Sequence, residues 1–203
     1  LIHDTAGLRH LDVAALPVRP EPQRILMCTP EHFDVVDVKN PYMEGNIGRI
    51  DKAKAAAQWR DLARIFADAG HEVLAIDGVP GLADMVFAAN QALPGMGPDG
   101  RPFALLSRMR HEARRPEVPH FRTFFERAGY VIYELSAAAG FFEGQGDAIW
   151  HPGRQLLWGG HGPRTSMRAY AEVSAKLAVP VVTVELVHPG FYHFDTCFCV
   201  LAA

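Results

Sequence analysis

Three segments of the chain carry one short pattern, an Asp set just ahead of a strand-like run that ends in an aromatic. They are Leu82-Ala83-Asp84-Met85-Val86-Phe87, Gln145-Gly146-Asp147-Ala148-Ile149-Trp150 and His193-Phe194-Asp195-Thr196-Cys197-Phe198. The Asp residues lie 63 and 48 positions apart. A pattern that returns at such a period marks a fold of stacked strand-and-helix units, none of which buries its apolar faces alone.

The second unit shows the logic most clearly. Asp147 to Trp150 and Gln155 to Trp158 flank the turn His151-Pro152-Gly153-Arg154 and predict a hairpin. Thr165 or Ser166 then caps a helix running to about Leu177, with Met167, Tyr170, Val173 and Leu177 at helical spacing. Pro180 stops it, and Val181 to Val184 reads as a buried strand. The first unit repeats this with a turn from Gly95 to Pro102, a helix from about Val118 to Ala128, Gly129 as punctuation and a strand from Tyr130 to Leu135. Upstream, the strand Arg24 to Cys28, the helix Asp51 to Ala69 and the strand Glu72 to Ile76 form one more copy. The third Asp opens a unit that is not finished, since Phe191 to Ala203 offers one strand. Either that strand pairs back onto the first unit and closes the domain, or the chain is incomplete.

At 203 residues, 49% of them hydrophobic, the chain can bury a core without metal or disulfides, and we read residues 1–203 as a single α/β domain. A formal charge of −3 argues against a nucleic-acid binder and gives no reason to expect attraction to an anionic membrane. A small molecule or another protein is the expected partner, and a homo-oligomer is compatible with it. Three cysteines make no disulfide framework and fit a cytosol-like compartment. Leu1 to Pro20 has no secretory pattern, and Leu177 to Val187 is too short for a bilayer span, so the expectation is a soluble, cytoplasmic protein.

Chemistry concentrates in a few places. Glu143 and Asp147 bracket Gly144-Gln145-Gly146 at a strand mouth, where glycines admit close backbone approach to a ligand and two carboxylates suit a cationic one. A solvated polar turn is the alternative. With one residue between them, His193 and Asp195 project to the same side of an extended segment, a pairing that favours a charged, oriented imidazole. Equivalent strand mouths would bring Glu143, Asp147, His193 and Asp195 into one pocket. Gly159 to Thr165 leads into a predicted helix start, suited to an anion with Arg164 adding a bidentate contact, or is a plain turn; its glycines match no nucleotide fingerprint. Arg108 to Arg115 is basic and short, a solvated loop from which one arginine could hold a carboxylate. Cys197 and Cys199 alternate on the last predicted strand as core packing rather than as a zinc site, and Cys28 has no activating base nearby.

Together these motifs resemble the guanidino-group-modifying superfamily: arginine deiminase, arginine dihydrolase, dimethylarginine dimethylaminohydrolase and the amidinotransferases. The likeness runs from Ile25 to the C-terminus. Its pieces are Met27 to Asp34, Lys39-Asn40-Pro41-Tyr42-Met43, Asp84 to Asn90, Leu106-Ser107-Arg108, Phe142 to Asp147, Arg164-Thr165 and His193-Phe194-Asp195. It implies a pentein-type α/β propeller of five strand-strand-helix-strand modules, needing roughly 250 to 300 residues, of which this chain supplies about three and a half. It also implies that Glu143 and His193 are catalytic, Glu143 orienting a guanidinium and His193 serving as general acid and base. Asn40, Asn90, Arg114, Arg164 and Asp195 would bind substrate, the two arginines through its α-carboxylate, with Asp84 and Asp147 supporting. Asn40 and Asn90 lean towards the dihydrolase branch.

A guanidinium carbon is a poor electrophile, so the chemistry needs carboxylate binding, a thiolate nucleophile and protonation of the leaving amine. No metal or organic cofactor is implied. The superfamily's nucleophilic cysteine lies well past its His-x-Asp motif, whereas this sequence ends 10 residues after His193. Cys197 and Cys199 match core positions of the family's strand. The expectation is a C–N hydrolase acting on arginine or a methylated arginine through a cysteine absent from these residues, the chain alone binding weakly and turning nothing over. A non-catalytic arginine-binding or regulatory module, or an amidinotransferase, is the alternative.

Overall fold

The computed structural model describes residues 1–201. In chain order the elements are α1 (Thr5–Arg9), β1 (Arg24–Cys28), α2 (Lys52–Asp68), β2 (Glu72–Ile76), β3 (Ala92–Met96), β4 (Pro102–Leu106), α3 (Glu117–Arg127), β5 (Val131–Tyr133), β6 (Ala148–Trp150), β7 (Leu157–His161), α4 (Ala169–Leu177) and β8 (Val181–Glu185). They divide into two compact units. The larger comprises Leu1–Glu21, Ala89–Arg110 and the chain from Arg122 onward; the smaller comprises Pro22–Ala88 and His111–Phe121.

In the smaller unit β1 and β2 pair in parallel, Leu26 opposite Leu74. Parallel pairing needs a crossover, which α2 supplies. Asp51 caps α2 by accepting the Lys54 N–H at 2.9 Å, and Gly70 ends the helical segment at φ 90°, which a side chain would resist.

The larger unit holds two sheets of three strands each with one topology. β3 and β4 form an antiparallel hairpin and β5 joins β4 in parallel. β6, β7 and β8 repeat the arrangement. The strand-strand-helix-strand order is that of the predicted repeats, although the strands take in Gly95, Met96 and Pro102 of the predicted turn, and one core serves both: Leu93, Phe103 and Leu105 pack with Phe142, Leu157, Tyr170 and Val181. The Trp150 indole N–H donates to the Pro94 carbonyl at 2.9 Å, linking the hairpins. The Tyr170 hydroxyl, wholly buried, lies 2.8 Å from the carbonyls of both Asp147 and Gly160. The sheets are open, and among the described residues none closes into a barrel. Among those residues, too, no helix is long and apolar enough to cross a membrane.

Five expectations need correction. Asp84 to Phe87 is a turn, its N–H groups spent locally, as in Phe87 N–H to Asp84 carbonyl at 3.0 Å. Phe191 onward forms no strand among the described residues: a 3-10 turn spans Phe194–Thr196, and the Phe194 and Phe198 rings stack 4.4 Å apart. Cys197 and Cys199 are therefore exposed, not core; Ala202 and Ala203, the end of that predicted strand, lie outside the described residues. The hairpin's second strand starts at Leu157 because the Gln155 N–H is taken by the Pro17 carbonyl at 2.9 Å. Finally, α4 starts at Ala169, and neither Thr165 nor Ser166 caps it.

Candidate active site

The larger unit gathers Asn90, Glu143, Asp147, Arg164 and His193, each buried to 5% exposure or less. Backbone turns place them. Glu143 precedes a 3-10 turn at Gly144–Gly146, and Asp147 follows it at the start of β6. The predicted close approach at Gly146 is real, but what approaches is the protein itself: a Cβ there would collide with the Asn90 amide and lie 3.1 Å from His193 Nδ1. Gly144 sits at φ 55° with its α-carbon against the Ala89 and Ala92 carbonyls, again leaving no room for a side chain.

His193 is held from both sides. Its Nδ1 lies 3.0 Å from Asp147 Oδ1, and its Nε2 lies 3.2 Å from Glu143 Oε2. Burial opposes charge on the imidazole, but the hydrogen bonds to Asp147 and Glu143, with their charges, outweigh it and raise His193 to about 9. Burial likewise opposes charge on Glu143. The hydrogen bond from His193, the Arg164 and His193 charges and the Arg110 N–H at 2.9 Å prevail, holding Glu143 at about 2.

Three groups converge on His193 Nε2, and they make incompatible demands. Glu143 Oε2 needs Nε2 to donate. Arg164 Nη1 and Asn90 Nδ2, each 3.3 Å away, are donors and need it to accept. The charged ring satisfies Glu143; the neutral ring with its proton on Nδ1, held by Asp147, satisfies Arg164 or Asn90. Nε2 is thus placed to gain or lose a proton without the ring moving.

The remaining predicted residues sort differently. Asp195 makes no hydrogen bond among the described residues and faces solvent; the carboxylate on His193 Nδ1 is Asp147 instead. Partial enclosure raises the Asp195 carboxyl to about 6, His193 opposing and Asp147 adding to the shift. Arg164, expected on a substrate carboxylate, pairs with Glu143 Oε2 at 3.1 Å and lies over the Tyr192 ring. The other three belong to the smaller unit. Asn40 accepts the Tyr42 N–H at 3.0 Å and caps a 3-10 turn at Pro41–Met43. Asp84 pairs with Lys39 at 2.9 Å. Arg114 is not in a solvated loop: its buried guanidinium grips Glu117 through Nε at 3.1 Å and Nη2 at 2.9 Å.

Sequence reasoning missed Glu117 and gave Thr165 the wrong role; no local pattern announces either. No helix starts at Thr165, so the predicted helix-start anion site is not formed. Burial, with Glu117 and Asp77 adding, pushes the Cys28 thiol up to about 12, and partial burial with Asp195 raises Cys197. Among the described residues no group of three His, Cys, Asp or Glu could hold a metal ion.

No family model matches the chain. The bifunctional arginine dihydrolase/ornithine cyclodeaminase ArgZ of Synechocystis sp. is 38% identical over 179 residues, covering 88% of this chain and 24% of that protein. The crystal structure of the substrate-bound N-terminal domain of ArgZ matches with a TM-score of 0.81 at 38% identity, over 87% of this chain and 62% of that one. The chain belongs to the guanidino-group-modifying superfamily. Another member, N(G),N(G)-dimethylarginine dimethylaminohydrolase of Mycobacterium tuberculosis, is 36% identical over 182 residues, 90% of this chain and 57% of that protein. The chain therefore spans about a quarter of ArgZ and under two thirds of either this second superfamily relative or the ArgZ domain.

Proposed function

We propose that these residues form the guanidino-recognising part of a hydrolase that cleaves a C–N bond of arginine or a methylated arginine, of the arginine dihydrolase type. The observation that carries the reading is the buried His193 clamped between two carboxylates, with amide and guanidinium donors meeting its outer nitrogen. Glu143, held as an anion, pairs with a guanidinium already, that of Arg164; a substrate guanidinium takes the same charge complement. Arg164, Asn90 and Asp195 contact substrate in this reading, and Asp147 supports them.

The reaction follows from these groups. A cysteine thiolate attacks the guanidinium carbon, and His193 gives its Nε2 proton to the departing amine as the C–N bond breaks. The same nitrogen, now neutral, takes a proton from the water that attacks the thiouronium carbon and breaks its C–S bond, returning the thiolate and leaving a ureido product; a second cycle on that product gives ornithine, carbon dioxide and a second ammonia. Neither Cys28 nor Cys197 is poised as a thiolate, and this reading assigns the nucleophile to none of Cys28, Cys197 and Cys199. No cofactor takes part. The repeated sheets of the larger unit support one propeller-type α/β domain, and the unpaired cysteines fit the cytoplasm.

The test is product analysis of the encoded polypeptide with arginine and with dimethylarginine. Ornithine with ammonia is expected; citrulline or dimethylamine would reassign the branch. Failure of every guanidino substrate to turn over, alongside calorimetric arginine binding, would instead favour a non-catalytic binding module, which the raised Cys28 and Cys197 thiols also suit.

A further inference from the structure

Thr165 is 1% exposed and touches both acidic residues that hold His193, Asp147 at its carboxylate and Glu143 at its backbone N–H. Its Oγ1 accepts the Glu143 backbone N–H at 3.0 Å and donates to Asp147 Oδ2 at 2.6 Å. A hydroxyl has one proton. Because an N–H can only donate, the direction is fixed: the Glu143 amide points into the oxygen, and the Thr165 proton goes to Asp147. The other Asp147 oxygen then takes His193 Nδ1 at 3.0 Å and the Phe194 N–H at 3.1 Å.

From this we infer that Thr165 is a positioning residue, one hydroxyl that fixes the Glu143 backbone and the Asp147 carboxylate together and so sets the imidazole between them. The adjacent Arg164 reaches the Glu143 carboxylate itself, at Oε2. Two consecutive residues thereby orient both acids, one through charge and one through a neutral relay. The charged and titratable groups around His193 are Glu143, Asp147 and Arg164, with Tyr192 and Asp195 beside it on its own segment; Thr165 touches the first two without contributing charge.

Valine matches threonine in shape but offers no hydroxyl, leaving the Glu143 N–H and Asp147 Oδ2 without this partner in a buried site. The Asp147 carboxylate and the Glu143 backbone then lose a shared anchor, and the imidazolium loses the fixed pair that favours it. The inference rests on His193 being the acid and base of the proposed hydrolase, yet its test requires no turnover. The His193 ring is titrated by nitrogen and carbon chemical shifts in isotopically labelled protein, its signal assigned by its loss in His193→Gln. In Thr165→Val the midpoint is expected to fall by about one pH unit, a tenfold loss of preference for the charged ring. Thr165→Ser, which keeps the hydroxyl and drops the methyl, is expected to hold the native midpoint. Should Thr165→Val not fold, Thr165→Ser still decides: a native midpoint supports the hydroxyl relay, and a displaced one overturns it in favour of methyl packing. An unchanged midpoint in a folded Thr165→Val overturns it as well. Because no substrate is present, either result stands apart from whether arginine is hydrolysed.

Discussion

Raising the pH should destabilise this protein through His193 in a calculable way. The unfolded chain releases the imidazole proton near the ordinary 6.5, whereas the folded site keeps it to about 9. A folded value above the unfolded one means that the contribution is complete below pH 6.5 and is lost as pH rises through 9. In that window the folded state binds the extra proton, so stability falls by about 1.4 kcal/mol per pH unit. Over the full window this amounts to roughly 3 kcal/mol. The Glu143 shift shares the same contact and is not added to it. The assay is urea unfolding at intervals from pH 6 to 10, for the native protein and for His193→Gln. The variant starts less stable because it leaves two buried carboxylates short of a cation; what matters is the slope, and other titrating groups cancel in the comparison. Parallel curves for the two proteins would refute the reasoning.

On the acid side, Glu143 is held at about 2 against an ordinary 4.5, so its stabilisation is present above pH 4.5 and lost as pH falls towards 2. The acid limb of the unfolding profile should accordingly flatten in Glu143→Gln. Gly146→Ala forces a methyl against Asn90 and His193; a loss of about 1–3 kcal/mol, measured by thermal unfolding, is expected together with weakened arginine binding. Tyr170→Phe removes the hydroxyl shared by the Asp147 and Gly160 carbonyls and should cost about 1–2 kcal/mol in the same assay. With iodoacetamide at pH 8, peptide mass analysis should find Cys199 alkylated and Cys28 untouched, because Cys28 is buried and its thiol is pushed up to about 12.

Much of the fold was legible because its units repeat. The strands Arg24–Cys28 and Glu72–Ile76 coincide with prediction, and both long helices agree to within a residue at each end. Apolar periodicity, the Asp51 cap and glycines past the helix ends carry enough local information for that. The runs after Asp84 and Asp195 look the same on paper as the run after Asp147, yet only the last becomes a strand, β6. A few apolar residues do not choose between strand and turn; the partner does. β6 pairs with β7, while the other two runs satisfy their N–H groups within the turn itself.

The site failed to be legible at one point for the same reason. Two residues separated by one share a face only if the segment is extended. His193 is extended, at φ −132° and ψ 155°, but the chain turns immediately into a 3-10 turn, so Asp195 departs from the face that the imidazole occupies. The carboxylate on Nδ1 then comes from 46 residues upstream, where Asp147 immediately precedes β6 and receives the Thr165 hydroxyl and the Phe194 N–H as well. A pairing at that separation has no signature in local spacing. What the sequence does carry is the pair of glycines between Glu143 and Asp147: Gly146 leaves room for Asn90 and His193 to close on the turn, and Gly144 for the Ala89 and Ala92 carbonyls. Residue types identified the participants, and small residues marked where they meet. Which acid serves which nitrogen is decided by tertiary packing.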